Sequence, residues 1–139
     1  MPPINFIAVA MAFAAEFVVD WLSQMFLLVM FAGDRLRDQM SQDEYRAMVQ
    51  NVLDTTALEP WAMACGLATT VGGAYLAARI AKRIPYYHGL AMGIVSIVYI
   101  VVSSLGSFTW QTWLGILVTI PLSLYGAHLA RRQMPAEMQ

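Results

Sequence analysis

Glu16 and Asp20 stand four residues apart inside an apolar stretch that runs from Ile4 to Gly33. At helical spacing, positions i and i+4 put both carboxyls on one face. Ser23 and Gln24 carry that polar face on by another turn, and Asn5 extends it toward the start of the stretch. Ionisable groups inside a helix of membrane length are costly and mark a functional site by default. Two carboxylates this close in a low dielectric do not both carry charge readily. Such a pair takes up a proton, holds a cation, or finds hydrogen-bond donors on another helix or subunit. The first basic residue of the chain is Arg35, and no Lys or Arg falls at a matching depth in the other apolar stretches. An ion pair inside the chain is therefore not the expected partner.

His88 and His128 lie near one end of the third and fourth apolar stretches. Packed side by side, two imidazoles could hold a haem iron or another metal. The plainer reading leaves each polar edge among lipid headgroups. No third ligand and no Cys-x-x-Cys-His run accompanies them, so no cofactor and no metal is expected. Cys65, the single cysteine, has no disulfide partner and sits among small apolar residues, where it reads as packing. The sequence carries no G-x-S-x-G, no P-loop and no H-E-x-x-H, and the expectation is that the chain is not an enzyme.

The elements that must position these residues follow from composition. Of 139 residues, 59% are hydrophobic and 12% charged, about half the charged share of an ordinary soluble domain. A net charge of −1 provides no basic footprint for nucleic acid. Four stretches, about 4–31, 60–80, 86–105 and 110–130, reach the roughly 20 residues that a bilayer crossing needs. The expected fold is an all-α integral membrane protein, a single domain over 1–139 built as a four-helix transmembrane bundle. The first stretch reads as a retained helix and not as a signal peptide, because it lacks a basic start and Glu16 interrupts it. Connections at Lys82–Pro85 and Gly106–Thr109 are short enough to force antiparallel hairpins.

Basic residues set the expected orientation. Arg79, Lys82, Arg83, Arg131 and Arg132 gather on one side, against Arg35, Arg37 and Arg46 in the first loop. That places both termini in the cytoplasm, and a bacterial inner membrane is the expected location. Trp61, Trp110 and Trp113 would form the outer aromatic belt, with Tyr86 and Tyr87 at the inner one. Within the first loop, Ser41-Gln42-Asp43-Glu44 has the form of a capping box. Tyr45, Met48, Val49, Val52 and Leu53 then recur on one helical face, which predicts a short amphipathic helix over about 42–54. Its polar face is acidic, so it is expected to dock on the bundle or on a partner and not on anionic lipid.

Small residues recur every four positions: Thr69, Gly73 and Ala77, beside Ala62, Gly66, Thr70, Ala74 and Ala78; Gly89 and Gly93; Gly115, Thr119, Ser123 and Ala127. Such stripes let helix backbones approach closely, within one chain or between chains. Pro121 is expected to kink the last helix and free a carbonyl for Ser or Thr hydroxyls. The last two spans do not repeat the first two, so the inverted-repeat sign of many transporters is missing.

Ala14-Ala15-Glu16-Phe17-Val18 resembles the surroundings of the membrane-embedded glutamate in the first helix of small multidrug-resistance transporters, which are also four-span proteins. Over those few residues the resemblance implies a transport role for Glu16. The long first loop, the extra Asp20 and the basic turn after the second span depart from that family. The run from Gly72 to Arg79 is similar to segments of small bacterial membrane proteins without an assigned mechanism. The leading expectation is a homo-oligomer, or a structural subunit of a larger membrane complex, whose acidic face bonds between helices or subunits. The alternative is a proton- or cation-coupled transporter or channel with Glu16 and Asp20 as the coupling site.

Overall fold

The computed structural model describes residues 4–33, 40–55, 58–82, 84–105 and 108–134, without the side chains of 53–55 and 59. Regular structure among the described residues is helical throughout: α1 Phe6–Ala32, α2 Gln42–Thr55, α3 Leu58–Ala81, α4 Pro85–Ser103 and α5 Trp110–Arg132. Four helices are long and apolar enough to cross a membrane, over Phe6–Ala32, Pro60–Ala81, Pro85–Ser103 and Trp110–Arg132. The third ends before the expected Leu105. Ser104 and Leu105 turn their N–H groups back to the carbonyls of Ile100 and Val102, tightening the last turn.

Local chemistry explains the starts. Asn5 caps α1, its Oδ1 accepting the Ala8 N–H at 3.1 Å. The expected capping box closes at α2: Glu44 N–H donates to Ser41 Oγ, and Ser41 N–H donates to Glu44 Oε2 at 2.8 Å. Thr109 and Thr112 make the same reciprocal cap at α5.

The chain divides into two compact units, Met1–Val18 with Leu67–Gln139, and Val19–Gly66. In the first unit, α4 and α5 pack antiparallel along the small-residue stripes. A Cβ at Gly89 would meet the Ala127 Cβ and the Ser123 carbonyl, one at Gly93 would meet the Ser123 side chain and Ile120, and Gly115 faces Ile100. These stripes therefore pack within the chain. Val9, Ala12, Ala74, Ala77 and Met92 form one buried cluster; Ala78, Ala127, Ala130 and Met134 form another. Helix α5 continues through Pro121. The Thr119 and Ser123 hydroxyls donate to the carbonyls of Gly115 and Thr119, and not to that of Leu117, which Pro121 leaves without its usual donor.

In the second unit, Val52 of α2 is fully buried against Leu27, Leu28, Ala32 and Leu58, with Met48 and Val49 beside it. The amphipathic helix thus docks on its own chain. Tyr45 stays exposed, and the side chain of Leu53 lies outside the described residues, as do Arg35 and Arg37.

The turn between α3 and α4 carries Lys82 at φ 56° and Ile84 at φ 46°; Arg83 lies outside the described residues. For residues with a side chain, this left-handed backbone costs roughly 1–2 kcal/mol. Lys82 donates its N–H to the Ala78 carbonyl at 3.3 Å, the helix-ending bond that glycine usually makes. Its side chain is exposed. Lys82→Gly is expected to raise stability by about 1 kcal/mol, read as a higher thermal midpoint in detergent.

Candidate functional site

Glu16 belongs to the first unit. Helix α1 carries it against α3 and α4, where the Ser96 hydroxyl donates to Glu16 Oε2 at 3.3 Å. Gly73 supplies the space. A Cβ there would stand 2.8 Å from Glu16 Oε2, 3.2 Å from Glu16 Cβ and 3.0 Å from the end of Met92. The carboxylate thus fills room that any side chain on α3 would take. Around it, Phe13 and Phe17 each meet the Tyr99 ring edge-on, with centroids 5.9 and 5.8 Å apart. Ser96 carried no signal of its own in the sequence, although it lies three residues beyond Gly93 on the packed face of α4.

Asp20 belongs to the second unit and faces Gly66, whose absent Cβ would lie 3.7 Å from Oδ1. The Gln24 side chain hydrogen-bonds Asp20. Oδ1 is nevertheless buried, with no hydrogen-bond partner among the described residues. The Ser23 hydroxyl donates to the Val19 carbonyl one turn back, at 2.8 Å. Asn5 is occupied as the cap of α1. The side-chain bonds across this polar face that the structure resolves are thus Glu16 with Ser96 and Asp20 with Gln24.

The two histidines have separate tasks. The Asn5 N–H donates to His88 Nε2 at 2.9 Å, which makes that nitrogen an acceptor, so Nδ1 carries the proton and donates to the Ile84 carbonyl at 3.1 Å. Both ring nitrogens of His88 are committed, and the residue is 2% exposed. His128 pairs through Nδ1 with the Tyr86 hydroxyl at 2.8 Å. The side-by-side pair that a haem iron would need is therefore not what these residues build. Among the described residues, no group of three or more His, Cys, Asp or Glu is placed to hold a metal.

Compared with protein-family models, with curated proteins and with solved structures, the chain matches none. The residues themselves must carry the functional reading.

His88 ties the start of α1 to the strained turn before α4, across 83 positions of sequence. His88→Phe keeps the ring's bulk but leaves the Asn5 N–H without an acceptor, at a cost of about 1–3 kcal/mol. A lower thermal midpoint and faster amide exchange at Asn5 are the expected outcomes. His88→Gln, which can still accept, should recover part of the loss.

Proposed function

We propose that this chain is a multi-pass membrane protein that works as a homo-oligomer or as a structural subunit of a larger membrane complex. In this reading the acidic face of α1 makes bonds between helices and between subunits. The carrying observation is the partial exposure of both acidic residues. Glu16 and Asp20 keep some of their surface uncovered on a helix that also exposes Phe17, Val18, Val19, Trp21 and Leu22. In hydrocarbon, an acidic residue that is not fully covered is costly, and such residues almost always face protein or a water-filled cavity. A second chain laid on α1 would supply that cover. In this proposal the membrane is a bacterial inner membrane, with both termini in the cytoplasm and the basic ends of α3 and α5 beside them.

A second reading, a proton- or cation-coupled transporter or channel, draws on one further observation. A buried oxygen without a partner, such as Asp20 Oδ1, asks for a proton or an ion. Native mass spectrometry of the purified protein from mild detergent tests the first reading. Oligomers or retained partner subunits are the expected result. A lone monomer that supports pH-linked flux in liposomes would overturn it in favour of the second.

A further inference from the structure

Five of the eight basic residues, Arg79, Lys82, Arg83, Arg131 and Arg132, fall within a stretch from Pro60 to Ala136 that holds no Asp or Glu. The structure collects the described members of this group at one end of the first unit. There the ends of α3 and α5 and the start of α4 meet over the apolar plug of Ala78, Ala127, Ala130 and Met134, with Tyr75 and Tyr86 packed against it. On the α3 side, the Arg79 guanidinium lies 5.8 Å from the centre of the Tyr75 ring. Arg79 Nη1 donates to Gln133 Oε1 at 3.3 Å, and the Tyr75 hydroxyl donates to the same oxygen. On the α4 side, the Arg131 guanidinium lies 5.7 Å from the centre of the Tyr86 ring, whose hydroxyl is held by His128. Both arginines are thus laid on aromatic faces that are themselves fixed by hydrogen bonds. A guanidinium has five N–H donors in a planar fork suited to phosphate oxygens, and the Gln133 bond uses one of those on Arg79. Arg79, Lys82, Arg131 and Arg132 are all exposed.

We propose that this end of the helices binds the phosphate headgroup of an anionic phospholipid, with Arg79 and Arg131 as donors and the Tyr75 and Tyr86 rings orienting them. The inference rests on the membrane-spanning reading of the four helices. A lipid is favoured over free phosphate because the site has an apolar wall. Leu76, Ile80, Tyr87 and Leu90 are exposed on α3 and α4 beside the basic group, where acyl chains would lie. Tyrosines at the ends of membrane-length helices also sit at headgroup depth.

The test uses the full chain in mild detergent, offered equal phosphatidylglycerol and phosphatidylcholine and examined by native mass spectrometry. Preferential retention of phosphatidylglycerol, fading as salt is raised, is the expected result. Arg79→Gln with Arg131→Gln should weaken it on the order of thirtyfold. The corresponding double change to Lys, which keeps the charge but loses the planar fork, should recover only part of it, and Arg46→Gln on α2 should leave it unchanged. Thermal midpoints near that of the parent show the variants folded, and the lipid preference and salt dependence of the unaltered chain test the idea without them. Equal retention of both lipids, or an equal loss from Arg46→Gln, overturns the proposal. Inorganic phosphate that binds alone and displaces the lipid at millimolar concentration overturns it in favour of a free-anion site. If alkaline carbonate strips the protein from membranes, the spanning reading fails and this proposal with it. A protein that stays in the membrane without lipid preference defeats the proposal alone.

Discussion

Gly126→Leu is expected to break the packing of α5 on α3 and to cost at least about 3 kcal/mol, the upper end of what overpacking usually costs. A Cβ built on Gly126 would fall against the Val71 carbonyl oxygen, with the Ala74 Cβ and the Tyr75 N each 3.1 Å away. Two of those three atoms are helix backbone. A flexible side-chain end could swing aside, but a hydrogen-bonded helical backbone moves only as a unit. The whole of α5 must then draw back from α3, loosening the buried cluster of Ala78, Ala127, Ala130 and Met134. Gly72 is the control, one residue from the stripe on α3, exposed and with nothing within 4 Å of its absent Cβ. Gly72→Leu should stay within about 0.5 kcal/mol of the parent, helped slightly by the better helix propensity of Leu. Detergent denaturation midpoints for the two variants provide the comparison. If both fall alike, the close approach of α5 to α3 is wrong.

The four long apolar helices were legible because apolar runs of that length leave few alternatives to a helix, and the cap at Ser41 because its reciprocal partner Glu44 is only three residues on. The stripe on α5 was legible in part. Gly115, Thr119, Ser123 and Ala127 follow a spacing of four and do face α4 at three of those positions. Gly126, which makes a closer approach, falls one residue off that spacing, because α5 has a second packed face turned toward α3. A search for one stripe per helix cannot find two. What stayed hidden were contacts between polar groups far apart in sequence. Nothing local in Asn5 or His88 announces the bond between them, and Ser96 looks like any small residue in an apolar run until Glu16 is placed opposite it. The cap at Thr109 escaped for a different reason: its partner is Thr112 and not the Glu or Gln of the usual box. The left-handed backbone at Lys82 and Ile84 escaped as well, since neither residue type is one that favours it.

Glu16→Gln combined with Asp20→Asn is expected to preserve the fold and weaken the proposed assembly. The first change keeps an oxygen that can accept from the Ser96 hydroxyl, and its amide occupies nearly the volume that Gly73 leaves open to the carboxylate. The second likewise retains an oxygen beside Gly66 and places an amide in reach of Gln24. The fold of the single chain should therefore change by less than about 1 kcal/mol. Bonds across an interface lose more, because hydrogen bonds to a charged group are roughly twice as strong as neutral ones. Polar contacts between helices in membranes are modest, averaging about 0.6 kcal/mol with a maximum near 1.7. Two weakened positions therefore raise the dissociation constant of the assembly by roughly tenfold, measured by native mass spectrometry across a detergent dilution series. A coupling site answers differently. An amide neither takes up nor gives up a proton near neutral pH, so a proton- or cation-coupled protein would lose flux in liposomes while its assembly stayed intact. That outcome would replace the structural reading with the transport one. Ser96→Ala separates the remaining possibility, since it removes only a donor within the chain. If Ser96→Ala loosens the assembly as much as the double amide does, the weak point lies inside the first unit and not between subunits.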